Sequence, residues 1–434
     1  MALPEVIQVI EQSHQPLRSE ADLSGLVSLL KDRKIVMLGE STHGTEEFYQ
    51  LRKSISQLLI EEHGFQFVAV EGDWPPCRVV HQYLQGTGQS ASARDALRAF
   101  HRWPTWMWAN TVFLDFLERL RSANDSTLQG KKVGFHGLDV YSLFESADEV
   151  LKQLRLVNPL LERRARVLYE CFGPFHRDER AYAKSLVDFP EGCQEQVLQV
   201  LQDLLRTRLA NKGREVLFDA QQNARIVAHA EQYYRAMILG NEDAWNVRDR
   251  HMMETLNFLL EHYGEGAKGI VWAHNTHIGD YRATDMLKNQ QVNIGGLARE
   301  QWGEEQVALV GCGTGHGEVL AARAWEGAVL KQPVPLGRPL SIEAAFHEVA
   351  QKTGNFELFL DLSSHRSGPL SEVVGHRAIG VVYNSAFERW GNYVPTSLAR
   401  RYDAFVYLDQ TRALTPLTQD FDRREIPETW PLGQ

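Results

Sequence analysis

The chain has 434 residues, 43% of them hydrophobic and 24% charged, an ordinary globular mixture with room for one large domain or two to three smaller ones. Its 46 Lys plus Arg against 56 Asp plus Glu give a net charge of -10, and no basic patch or tail stands out, which argues against nucleic acid or an anionic membrane as a partner. The first residues lack a basic segment followed by an apolar core, and no apolar run approaches the length of a membrane span, so a cytoplasmic protein is expected.

Residues 1–30 have the spacing of one or two amphipathic lead-in helices. Ile35-Val36-Met37-Leu38 then reads as a strand buried on both faces, as in a parallel sheet. Gly39 ends it, and Glu40 and His43 follow on the turn. Phe48, Leu51, Ile55, Leu58 and Leu59 fall at helical spacing until Gly64, with Thr45, Glu46 and Glu47 suited to the first turn. Arg52 lies about two turns into that helix; helical side chains lean toward the amino end, so it can reach back over the sheet edge.

A second buried run, Phe67-Val68-Ala69-Val70, ends in Glu71-Gly72-Asp73, and a third, Val133 to Leu138, ends in Asp139. Between them, Trp103, Trp106 and Trp108 are costly to expose and either pack in the core or wall an apolar pocket. From about Glu145 to His262 the strand signal gives way to helical patterns broken at Asn158-Pro159, Gly173-Pro174 and Phe189-Pro190. This predicts a helical cap, 145–262, inserted into an α/β catalytic domain made of 1–144 and 263–434. The charges around Arg225 and Arg248 at its end read as a solvated face. A fourth run, Gly269 to Ala273, meets His274 and His277.

Further strands are expected at Val307–Gly311, Phe356–Asp361, Ala378–Tyr383 and Ala404–Asp409. The glycine-rich Cys312-Gly313-Thr314-Gly315-His316-Gly317 lacks both the dinucleotide spacing and the Gly-Lys-Ser/Thr ending, so it reads as a tight turn rather than a phosphate loop. Phe421 to Gln434 reads as a loose end. The four cysteines, Cys77, Cys171, Cys193 and Cys312, show no Cys-x-x-Cys pairing, so neither a disulfide framework nor structural zinc is expected.

The recurrence carries the functional argument. Four buried strands each end in Glu, Asp or His, and the carboxyl ends of parallel strands lie along one edge, where ligands bind in open α/β sheets. No Gly-x-Ser-x-Gly elbow and no His-Glu-x-x-His helix is present, which disfavours a serine hydrolase of the α/β class and a zinc protease. What remains is a rim of imidazoles and carboxylates with an Arg, suited to general acid–base chemistry on water. A His beside a Glu is held in one tautomer and can take a proton from water, while an Arg or second His neutralises the oxyanion. The same rim could instead hold a metal ion, since Glu, His and Asp are good ligands, although the spacing matches no familiar zinc pattern. A non-catalytic binding protein would also keep such a cleft.

Gly39-Glu40-Ser41-Thr42-His43-Gly44, Val70-Glu71-Gly72-Asp73-Trp74, Pro104-Thr105-Trp106-Met107-Trp108, Gly137-Leu138-Asp139-Val140, Trp245-Asn246-Val247-Arg248-Asp249 and Trp272-Ala273-His274-Asn275-Thr276-His277 together resemble the erythromycin esterase family. The wording, especially at Arg102 to Asn110 and Trp245 to Met252, is closer to a branch of uncharacterised homologues, several of them carrying a succinoglycan-biosynthesis label, than to the resistance enzymes. The resemblance implies an α/β sheet with a helical part closing a cleft, and hydrolysis of a carboxylic ester, such as a macrolide lactone, without metal or other cofactor. It matches His43 to the general base, and Glu40, Arg52, Glu71 and His274 to the catalytic surroundings. His277, Asp139, Trp106, Trp108 and Arg248 are the expected substrate-binding set. The implied partner is a small-molecule ester or lactone.

Overall fold

Apolar runs with no polar side become strands only where both faces can be covered. The computed structural model describes residues 3–126, 132–175, 177–207, 214–240, 243–418, 420–421 and 427. Strands β1 (Gln15–Pro16), β8 (Glu357–Asp361), β11 (Ala404–Thr411), β6 (Val307–Ala322), β2 (Ile35–Leu38), β5 (Gly269–Trp272), β3 (Phe67–Asp73) and β4 (Gly134–Asp139) lie side by side in that order, and β7 (Val329–Val334) pairs with β6. From β11 to β4 all neighbours are parallel; β1, β8 and β7 join antiparallel. The fold is therefore α/β, with a mostly parallel nine-stranded sheet flanked by helices.

The period of two along β2 sorts its side chains between two cores. Val36 and Leu38 join the apolar cluster on one face, with helices Glu46–His63, Trp74–Gln85 and Thr111–Ser126. Ile35 and Met37 join the cluster on the other face, with helices Leu3–Ser13, Ile294–Trp302 and Ile342–Thr353. Between β4 and β5 every described element from Leu143 to Tyr263 is a helix. Helices Leu143–Val157, Pro159–Tyr169, Gln194–Arg206 and Arg214–Leu239 pack around a cluster of their own. The last helix, Ala244–Tyr263, belongs to both: Ala244 and Val247 face that cluster, whereas Met252, Leu256 and Leu259 pack on the sheet. Among the described residues no helix is long and apolar enough to cross a membrane.

Three expectations are corrected. Cys312 to Gly317 is no turn: β6 runs unbroken through it, because a Cβ at Gly315 would lie 2.3 Å from Tyr407 Oη and one at Gly317 2.0 Å from the Thr411 carbonyl oxygen, so glycine lets β11 lie close. Ala378–Tyr383 makes only the single bridges Thr42 to Ile379 and Ala322 to Val382. The strand there is β9 (Val373–Arg377), which takes β10 (Tyr393–Ser397) as partner, and the chain beyond it crosses the loop that follows β2. Finally, Cys171 and Cys193 form a disulfide, their Cα atoms 5.8 Å apart across a sequence separation of 22. The intervening helical turns bring them together, which spacing in sequence does not report. Of the expected loose end, 422–426 and 428–434 lie outside the described residues.

Candidate active site

Because β2, β5, β3 and β4 are neighbours, the polar residues at their carboxyl ends converge. Glu40 and His43 leave β2 on a loop closed by Thr45 and the helix Glu46–His63, which ends on Gly64 at φ 73°. His43 Nδ1 donates to Glu40 Oε1 at 3.0 Å. Arg52 does reach back over the edge: its guanidinium lies 2.7 Å from Glu40 Oε2, 4.3 Å from the Tyr49 ring centroid and 5.1 Å from that of Trp272. Its contact with Glu40 is ionic rather than a well-aligned hydrogen bond.

A second group centres on Arg248. Its Nε and Nη2 donate to the two Asp139 oxygens at 2.8 and 2.7 Å, and Nη2 also reaches Glu71 Oε1 at 2.8 Å. His277 stands beside it, with Nε2 2.9 Å from Arg248 Nη1 and 3.3 Å from Glu71 Oε1, and Nδ1 2.9 Å from Asp249 Oδ2. The Trp245 ring stacks on His277 at 4.5 Å between centroids and 7° between planes. Burial would raise the Glu71 carboxyl, but His277 and Arg248 outweigh it and hold it well below the usual carboxylate range. Burial likewise pushes His277 down, yet Asp249 and Glu71 prevail and raise it to about 9.

His274 joins the two groups. Its backbone N–H donates to Glu71 Oε2 at 2.9 Å, and its ring centroid is 4.9 Å from that of His43. Thr276 Oγ1 lies 2.8 Å from His274 Nδ1 and Thr276 N–H donates to the same atom at 3.3 Å; a backbone amide can only donate, which assigns the ring proton to Nε2 with the hydroxyl as a second donor. That Nε2 is buried without a hydrogen-bond partner among the described residues. Burial, with His43 close by, holds the His274 imidazole well below its ordinary value, so the ring is neutral. On His43 the Glu40 contact fixes the proton on Nδ1 and leaves the lone pair on Nε2.

Trp108 backs the edge, its Nε1–H donating to the Glu71 carbonyl at 3.2 Å, and Trp106 is buried in the same apolar cluster. Residues that the sequence reading missed are Asp73, Tyr49, Trp245 and Asp249. Asp73 accepts from Arg102 at 2.8 Å and from Tyr141 N–H at 3.0 Å, and burial, against Arg102 and with Asp139 nearby, raises its carboxyl to about 7. The charges around Arg248 are no solvated face: Arg248 and Asp249 are buried, and so are Gln222, Asn223 and His251. Trp245, Arg248, Asp249 and Met252 occupy i, i+3, i+4 and i+7, the spacing of an inward face, and polar residues on such a stripe are the signal for a buried site. Glu40, His43, Arg52, Glu71, Arg248, His274 and His277 are all at most 2% exposed. A cavity of about 340 Å³ lined by Pro75, Val79, Arg102, Ser142 and Glu145 includes none of these seven in its wall, and Arg102, which donates to Asp73, links it to the edge.

With this geometry in place, likeness to other proteins becomes informative. Residues 60–411 match the erythromycin esterase family. The chain is 22% identical over 319 residues to a putative hydrolase, YbfO, of Bacillus subtilis (strain 168), covering 64% of this chain and 65% of that protein. It is 27% identical over 119 residues to erythromycin esterase type II of Escherichia coli, covering 27% of this chain and 26% of that one. The chain therefore spans under two thirds of the length of these relatives. Among solved structures, a Bacillus cereus protein matches with a TM-score of 0.80 at 20% identity, over 96% of this chain and 100% of that one. A succinoglycan biosynthesis protein matches at 0.77 and 20%, over 95% and 98%. An erythromycin esterase mutant in its open conformation matches at 0.66 and 15%, over 93% and 95%. At such identities the structures speak for the fold, while the family match suggests an esterase or other hydrolase. The chain belongs to the erythromycin esterase family.

Proposed function

We propose that this protein hydrolyses a carboxylic ester of a small molecule, a macrolide lactone among the candidates, with water activated by His43 and without a metal ion. The observation that carries the reading is the pair of buried imidazoles 4.9 Å apart between ring centroids, His43 donating through Nδ1 to Glu40 and His274 accepting at Nδ1 from Thr276 N–H. His43 Nε2 takes a proton from water as the water oxygen attacks the acyl carbon. His274 Nε2–H donates to the oxyanion, where a fixed donor in a dry site is worth most. Collapse of the tetrahedral adduct breaks the ester C–O bond, and the leaving alkoxide takes the proton back from His43, giving acid and alcohol.

Arg52 sits against Glu40, so it steadies the Glu40–His43 pair as the imidazole becomes charged. Both Glu71 oxygens already accept N–H groups, which suits it to fixing His274 and Arg248 rather than to handling the water. Metal independence is supported by the same saturation: a guanidinium faces each rim carboxylate, Arg52 at Glu40 and Arg248 at Glu71 and Asp139. The test is to incubate chelator-treated protein with aryl esters, aliphatic esters and a fourteen-membered lactone, and to follow product mass. Addition of one water, undiminished by chelation, is expected. No hydrolysis of any ester, or activity that vanishes on chelation and returns with metal, overturns the reading.

A further inference from the structure

The histidine in the glycine-rich stretch of β6 is absorbed neither by the fold nor by the site above. His316 stands beside Gln410 in the parallel register of β6 and β11, next to Asp409, and the helix Ile342–Thr353 brings His347 over both. One ligand atom from each of His316, His347 and Asp409 lies within 4.8 Å of the other two. His347 Nδ1 is 2.7 Å from Asp409 Oδ1, and the two imidazole centroids are 5.8 Å apart.

We propose that His316, His347 and Asp409 form a binding site for a divalent first-row transition ion, zinc the leading candidate, separate from the hydrolytic edge. The donor set is two imidazoles and one carboxylate, which suits such ions and leaves coordination positions open to water. Three further observations point to a ligand. His316 Nδ1 is buried with no hydrogen-bond partner among the described residues, an orphan that an ion would satisfy. Tyr407 Oη donates to Asp409 Oδ1 at 2.8 Å, the kind of outer contact that orients a ligating carboxylate. The His347 side chain is 26% exposed while that of Asp409 is 3% exposed, so the cluster is anchored in the sheet and reachable from solvent on one side.

The local sequence is shaped for this approach. Gly315 precedes His316, and a Cβ on it would come within 2.8 Å of Asp409 Oδ1 and 2.3 Å of Tyr407 Oη. Phe346, one residue before His347, stacks on Tyr407 at 5.1 Å, which fixes the helix over the strand. The ligands thus come from three rigid elements; on binding, the His347–Asp409 hydrogen bond gives way and the donor atoms, spread over as much as 4.8 Å, draw in around the ion.

The test uses the full chain, stripped by chelation and dialysis, titrated with Zn²⁺ by calorimetry and with Co²⁺ by visible absorption. One equivalent is expected, with a rise in thermal midpoint on Zn²⁺ addition. Affinity is expected to fall by about 100-fold or more in His347→Gln and in His316→Gln, since each removes a ligand outright and even outer-shell losses cost about 10–100-fold. His347→Gln changes a partly exposed residue, so it reports even where His316→Gln folds poorly. Binding retained in His274→Ala places the ion away from the hydrolytic edge. No stoichiometric binding, binding unchanged in His347→Gln, or binding abolished in His274→Ala overturns the proposal.

Discussion

His277 shows how one buried residue couples the site to pH. Its ordinary value of 6.5 is raised to about 9 in the fold, because Asp249 and Glu71 outweigh the burial that would lower it. The folded state therefore holds this proton more tightly than the unfolded chain does. The resulting stability is fully present below about pH 6.5 and is lost as pH rises through about 9. Urea unfolding at pH 6, 7.5 and 9.5 should show wild type weakening toward alkali, with a smaller pH dependence in His277→Gln. At neutral pH that variant should be less stable by about 3–5 kcal/mol, since buried Asp249 loses its ionic partner and keeps only the Ile294 N–H. Parallel pH profiles in the two proteins would contradict the assignment.

At the level of elements, close backbone contacts hold the His43 loop. The Gly44 carbonyl accepts from Leu320 N–H at 3.0 Å and Leu414 N–H at 2.9 Å, and a Cβ on Gly44 would lie 1.9 Å from the Leu320 carbonyl oxygen. Gly44→Ala must push the loop or β6 aside. It should cost about 1–3 kcal/mol of stability, the usual scale for overpacking, and lower kcat as His43 shifts against His274. Unchanged stability and turnover would show the contact to be slack. Elements also divide what the sequence discloses from what it hides. β2 to β5 are legible because each is a contiguous apolar run closed by a polar residue, so Glu40, His43, Glu71, Asp139, His274 and Arg52 can be named without coordinates. Asp249 and Trp245 are not, because a charged helix remote in sequence reads as solvated until its inward stripe is recognised. β6 hides for the opposite reason: its glycines look like a turn, and only the approach of β11 explains them. The Cys171–Cys193 bond depends on a chain reversal that no local pattern encodes.

For the molecule as a whole, the central fact is that the proposed hydrolytic edge is sealed. His43 and His274 have no solvent exposure, and the loop carrying His43 is roofed by Ile379, Leu320 and Leu414. Arg248 ties the helix Ala244–Tyr263 to Glu71 and Asp139 on the sheet, so separating that helix from the edge breaks these ion pairs. Arg102, in the wall of the 340 Å³ cavity, bonds to Asp73, two residues beyond Glu71. A dry, closed site strengthens every dipole aimed at the reacting carbonyl, at the cost of an opening step before each turnover. The most direct test of the account is the turnover of one hydrolysed ester by metal-free His43→Ala and His274→Ala, each shown by circular dichroism and thermal midpoint to be folded. The account predicts a loss of about 10²–10⁴ in kcat for His43→Ala and about 10²–10³ for His274→Ala, the scales of a lost general base and a lost oxyanion donor. Full turnover in either folded variant would contradict it.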